Sequence, residues 1–228
     1  MNPSLSPRLL ACCHYVQPGE RIADVGCDHG YLSIHLLRNG IASYVLASDI
    51  SQGPLQSAMQ NAARYHVEDR VSFFLSDGLQ SVPKDFDCMV CAGMGAETMI
   101  SILKAAPWMQ SAAYRMVLQC QSKTHLLRRF LCNTGWHIEA ESIVRDGHFL
   151  YTVMSVRWAP GHTLTAGQCY LSPALLKSPC TDELCEYYGR IVKGLRQTVE
   201  GRGENAPKEL TDAYNELRTN PAFSHLRR

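Results

Sequence analysis

The residues of this 228-residue chain best able to do chemistry are carboxylates set among glycines. In Arg21-Ile-Ala-Asp-Val-Gly-Cys-Asp-His-Gly-Tyr-Leu32 an apolar strand ends in Asp24, and Gly26, Asp28 and Gly30 follow before an amphipathic helix. Glycines let a backbone come close to a ligand, and a helix N-terminus facing that ligand completes a nucleotide-cofactor loop. The glycines are spaced Gly26-x-x-x-Gly30. A dinucleotide site uses G-x-G-x-x-G, which seats a pyrophosphate on bare backbone. The loop therefore points to a nucleoside cofactor without phosphate, for which S-adenosylmethionine is the candidate.

Two further acids stand where a second and a third strand end. Asp24 can receive the ammonium of a methionine moiety. Asp49, 23 residues after Gly26, can accept hydrogen bonds from both ribose hydroxyls. Asp77-Gly78 follows the third strand, where a carboxylate can take the adenine amino proton. With Tyr31, Ile50, Ala92 and Gly93 these residues make up the candidate cofactor set. In Ala92-Gly-Met-Gly-Ala-Glu97, two glycines flank Met94 and give a flexible backbone carrying a soft apolar side chain, a floor for a flat base. Gln119 and Gln121 offer amides at the same rim. Asp28 and His29 face the space where an acceptor must arrive. The pair can bond to each other, or Asp28 can orient or deprotonate a nucleobase. Methylation of a ring nitrogen leaves a cation that a carboxylate stabilises. Asp28, His29 and Met94 are thus the candidate catalytic residues.

These side chains need a sheet to position them. Predicted strands cover residues 21–25, 44–49, 71–76, 87–92 and 115–121, with helices at 31–39, 53–66, 97–107 and 124–133, after a short helix at 5–16. Continuously apolar strands joined by helical connections are parallel and covered on both faces. Residues 136–144 and 149–158 then form a hairpin around Asp146-Gly147. The expected fold is α/β, a class I (Rossmann-like) methyltransferase sheet of seven strands with an antiparallel last strand. Beyond Ala159-Pro-Gly161 the segment to Ser178 is mixed. Thr181-Asp-Glu then caps a helix bearing Leu184, Tyr188, Ile191, Val192, Leu195 and Val199, and a second helix follows the break at 201–207. The division is a catalytic domain at 1–160 and a helical, coiled-coil-like domain at 161–228.

Composition narrows the class. A formal net charge of +1 carries no global nucleic-acid signature. Between Lys123 and Arg157 five basic residues face three acids, which suits either a solvated face or a local RNA patch. No apolar run approaches the roughly 20 residues that span a bilayer. Residues 1–8 lack the basic and apolar regions of a secretory signal, so a cytoplasmic protein without a membrane partner is expected. The ten cysteines then read as reduced and structural. Cys88 and Cys91 would point to opposite faces of a strand, and the nine histidines are scattered, so no metal is expected.

With these motifs in place, the chain resembles the bacterial tRNA (adenine(22)-N1)-methyltransferase family. The resemblance lies in Ile22 to Leu32, Ser76-Asp-Gly-Leu79, Ala92-Gly-Met-Gly95, Leu118-Gln119, Leu126-Leu-Arg-Arg-Phe-Leu131, Trp136-His-Ile138 and Pro173-Ala-Leu-Leu176. It covers nearly the whole chain, and it implies S-adenosylmethionine as cofactor, tRNA as substrate and Asp28 in the active site. The family's further glycine after Ala-Gly-Met-Gly is Ala96 here, and Cys120-Gln121 replaces Pro-Asn after Gln119. Other readings are a methyltransferase for another RNA, a small molecule or a protein, and a non-catalytic RNA-binding protein on the same fold. A monomer is favoured, with the oligomeric state open.

Overall fold

The computed structural model describes residues 3–177 and 179–227. Met1 and Asn2 of the N-terminal segment, Ser178 of the mixed segment and the terminal Arg228 lie outside the described residues. Seven strands form one sheet: β1 (Arg21–Val25), β2 (Tyr44–Asp49), β3 (Val71–Leu75), β4 (Cys88–Met94), β5 (Arg115–Cys120), β6 (Trp136–Asp146) and β7 (Phe149–Trp158). Their order is β3-β2-β1-β4-β5-β7-β6. The first five are mutually parallel, and β7 runs antiparallel to both neighbours. The strand order reverses between β1 and β4, and the crevice at the carboxyl ends there is where open α/β sheets receive ligands.

The apolar strands are explained by what covers them. Ala23, Met89, Cys91, Met116 and Leu118 face one layer with α4 (Ala96–Ala105) and α5 (Thr124–Asn133). Ile22, Val45, Cys88, Val90 and Val117 face the other, with α1 (Pro7–Cys13), α2 (Tyr31–Arg38) and α3 (Gln52–Arg64). Cys88 and Cys91 thus go to opposite layers, as strand alternation requires. Eight of the ten cysteines are buried.

The mixed segment turns out to hold two short helices, α6 (Ala166–Tyr170) and α7 (Pro173–Lys177). Thr165 starts α6 through a capping box with Gln168. The predicted helical pair follows as α8 (Asp182–Arg202) and α9 (Lys208–Arg218), with Thr181 accepting from the Leu184 amide. Leu184, Tyr188, Leu195, Ala213 and Leu217 bury between them, against Leu171 and Leu175. Tyr188 also donates to the Leu217 carbonyl at 2.7 Å.

The 160/161 junction is bridged from within. Arg128 of α5 is 0% exposed and donates from Nη2 to Glu141 of β6 at 2.7 Å. Its Nη1 donates to the carbonyls of Cys169 (3.0 Å) and Tyr170 (2.8 Å), and Ser172 donates to Glu141 at 2.5 Å. This narrows the two readings of the charged stretch 123–157. Arg128 leaves the surface, and Lys123, Arg129, Arg145 and Arg157 each sit beside an acid: Glu97, Glu209, Glu186 and Glu139.

Candidate active site

The loop after β1 is built by backbone. The Gly26 and Cys27 amides both donate to the Ser48 carbonyl of β2, at 2.8 and 2.9 Å. The turn needs positive φ at Gly26 (+76°), Asp28 (+50°) and Gly30 (+73°). Glycine takes that conformation without strain, and among other residues Asp tolerates it better than most. A Cβ on Gly30 would press on Ala58 at 3.0 Å, so this glycine also lets α2 pack on α3.

At the sheet edge these elements enclose a cavity of about 330 Å³. Of the predicted residues, Asp24, Gly26, Asp28, His29, Asp49, Ala92, Gly93 and Met94 line it. Tyr31, Ile50, Asp77 and Gly78 are not on its wall. Gly78 is buried against Ile102, whereas Tyr31 and Ile50 are large apolar surfaces left exposed near the loop ends, at 39% and 67%. Asp77 is exposed and accepts from Gln80 at 3.4 Å.

The two inner acids differ in setting. Asp24 is 3% exposed and accepts from Ser33 at 2.5 Å. Burial raises its pKa to about 6 against the lowering effect of the Ser33 bonds, with the neighbouring Asp49 charge adding to the rise. Asp49 joins the two loops: one carboxylate oxygen accepts from the Asp28 amide at 3.1 Å and the other from Ser51 at 2.8 Å. A carboxylate has about four acceptor sites, so Asp49 retains capacity for a ligand. Asp28 and His29 stand at the mouth with their side chains 3.7 Å apart.

The Ala92–Gly95 segment departs from the flexible turn predicted for it. β4 continues through Gly93 and Met94 with a bulge, because the Gly93 amide donates to Gln119 Oε1 (3.0 Å) and Gln121 donates to the Met94 carbonyl (2.9 Å). Met94 accordingly packs down onto the Gly26 loop, where a Cβ on Gly26 would collide with its Cε.

Sequence reasoning missed Arg8 and Leu9 of α1, which also line the cavity. Arg8 donates to Gln119 Oε1 at 3.1 Å and lies 3.5 Å from Asp146. A signal existed: Pro7 marks a helix start, and a cation in the first turn opposes the helix dipole, so it calls for an acid elsewhere. Gln119 is fully buried, and its Nε2 lacks a hydrogen-bond partner within the protein. The wall therefore offers two acids at depth, bare backbone and the single guanidinium of Arg8. That set suits an ammonium and hydroxyls, and the carboxylates of Asp24 and Asp49 would repel a pyrophosphate. Among the described residues no cluster of His, Cys, Asp and Glu could hold a metal, and no helix is long and apolar enough to cross a membrane.

Comparisons with known proteins agree with this geometry. Residues 5–154 match the family model described as a methyltransferase domain. A Mycoplasma pneumoniae protein named "Putative tRNA methyltransferase" is 33% identical, over 78% of this chain and 83% of its own. The Bacillus subtilis tRNA (adenine(22)-N(1))-methyltransferase is 29% identical over 66% of this chain and 63% of that one. The crystal structure of a Streptococcus pneumoniae protein, "a putative tRNA (m1A22) methyltransferase, in complex with S-adenosyl-L-methionine", superposes with a TM-score of 0.83 at 25% identity. It covers 96% of this chain and 100% of that chain, C-terminal helices included.

Proposed function

The chain belongs to the tRNA (adenine(22)-N1)-methyltransferase family, and we propose that it transfers a methyl group from S-adenosylmethionine to N1 of adenine 22 of tRNA. The observation that carries this reading is the cavity at the β1–β4 switch point, with Asp24 and Asp49 at depth and bare glycine backbone beside them. S-adenosylmethionine, when bound, supplies an electrophilic methyl carbon on a sulfonium.

The protein's own residues do the rest by position. Asp24 receives the ammonium, and Asp49 takes the ribose hydroxyls while holding the Asp28 amide. Gly26, Ala92 and Gly93 keep the wall bare enough for close approach. Tyr31 and Ile50 supply exposed apolar surface that an adenine ring would cover, and Asp77-Gly78 supplies its polar edge. Asp28 stands at the mouth to stabilise the cation formed on the acceptor base, with His29 beside it, and Met94 floors the site.

We assign residues 1–160 to catalysis and 161–228 to gripping the tRNA body, in a cytoplasmic monomer. Light scattering tests the monomer, which a dimer mass would exclude. Nucleoside mass spectrometry of tRNA from a deletion strain tests the reaction. Loss of 1-methyladenosine is expected, and an unchanged nucleoside profile would point to another substrate.

A further inference from the structure

A second groove runs between α5 and α8, about 580 Å³ in volume, within the range of about 300–1,000 Å³ typical of ligand sites. Gln121 lines both this groove and the cofactor cavity, so the two adjoin at that residue. The groove wall carries Lys123 and Arg190, with the buried Arg128 behind it, and no acidic side chain. The acids that pair with them, Glu97, Glu141 and Glu186, stand outside the lining. On the α5 side the rings of His125 and Tyr170 stack at 4.5 Å and 9°. Burial, with Arg129, Arg128 and Lys123 nearby, pushes the His125 pKa down to about 4. The imidazole is therefore neutral at physiological pH, and the stack is an uncharged π surface. Across the groove Gly194 of α8 leaves open space, since a Cβ there would meet nothing within 4 Å.

A flat uncharged wall beside cations is the equipment of a single-stranded nucleic-acid site, where bases stack on rings and phosphates meet Lys or Arg. We propose that this groove is a nucleotide subsite. It holds the base flanking the methylated adenine against the His125–Tyr170 wall, with the phosphate toward Lys123 and Arg190. The inference rests on the tRNA methyltransferase reading above and adds a second contact point to it.

The test is steady-state methylation of tRNA transcripts that are intact or abasic at the nucleotide 5′ or 3′ of the target adenine. The unaltered enzyme should lose roughly tenfold in kcat/KM when one flanking base is removed, the scale of a base–aromatic stack. His125→Ala should lose a similar factor on intact tRNA and nothing more on the abasic transcript, and His125→Phe should retain the effect. Gly194→Leu fills the groove on a helix that tolerates leucine better than glycine. It should lower kcat/KM on intact tRNA by about tenfold with cofactor affinity and Tm maintained. The subsite is overturned if both abasic transcripts show the same penalty in His125→Ala as in the unaltered enzyme, or if Gly194→Leu is fully active. Should His125→Ala not fold, Gly194→Leu decides alone. If the unaltered enzyme methylates no tRNA, the substrate reading fails and the subsite with it.

Discussion

Met94 Cε occupies the space into which a side chain on Gly26 would point. Two segments 68 residues apart in sequence therefore touch because one of them has no side chain, and the strand β4 can floor the loop after β1. Gly26→Ala should weaken S-adenosylmethionine binding at least tenfold, from that collision and from the +76° φ, which costs roughly 1–2 kcal/mol for a residue with a Cβ. Adding Met94→Ala should recover the steric part only. Calorimetry on the single and double variants separates the two, and full affinity in Gly26→Ala would remove the loop from the cofactor site.

Asp49→Ala should reduce cofactor affinity by about 10- to 100-fold, since bonds to a charged group are worth roughly 1.5–3 kcal/mol. It also releases the Asp28 amide, so Asp49→Asn, which can still accept that bond, should lose less. Unchanged affinity in both variants would withdraw the ribose assignment.

Asp28→Asn keeps the tolerance for positive φ and the amide bond to Asp49 while removing the charge. Turnover on tRNA should fall by at least tenfold with little change in cofactor affinity. Equal losses in kcat and in cofactor Kd would move Asp28 from the acceptor to the cofactor.

Asp24 gives a pH signature. Its folded pKa stands near 6 against an ordinary 3.8, so between those values the folded protein holds a proton that the unfolded chain has released. Stability without ligand should fall as pH rises through this window and then level off, by at most about 3 kcal/mol. Asp24→Asn, still able to accept from Ser33, should flatten that dependence and raise Tm above pH 6. It should also lose cofactor binding, and in the unaltered protein affinity should weaken below about pH 6 as Asp24 protonates. A Tm that rises with pH between 4 and 6 would contradict the burial argument.

Breaking a buried ion pair on one side costs roughly 3–5 kcal/mol. Arg128→Met should therefore lower Tm by roughly 10 °C for a chain of this length. Substituting Glu141→Gln as well should recover part of the loss. A Tm unchanged in Arg128→Met would show that this junction is held by the apolar contacts of Leu171 and Leu175 instead.

What the sequence revealed follows from how local each signal is. The β1 loop, the apolar strands and the Asp146-Gly147 turn are encoded in contiguous residues, and each stands where expected. The four predicted residues off the cavity wall share its sheet edge or adjoining loops, but depth within an edge is not written in spacing. Arg8 was hidden because its acceptor, Gln119, lies 111 residues away. The strand pairing of Gly93-Met94 was hidden for the same reason, since Gln119 and Gln121 supply the bonds that draw these two residues into β4. Arg128 read as surface charge because burial of an arginine depends on carbonyls at 169 and 170.

That buried arginine also determines how portable the C-terminal helices are. Its guanidinium is shared among α5, β6, the end of α6 and Tyr187 of α8. A chimera with other helices after residue 160 would strand that charge unless the incoming segment offered carbonyls at 169 and 170 and a hydroxyl at 172. The helices are joined to the sheet as a graft is to its rootstock, and any exchange of them between relatives must keep that joint intact.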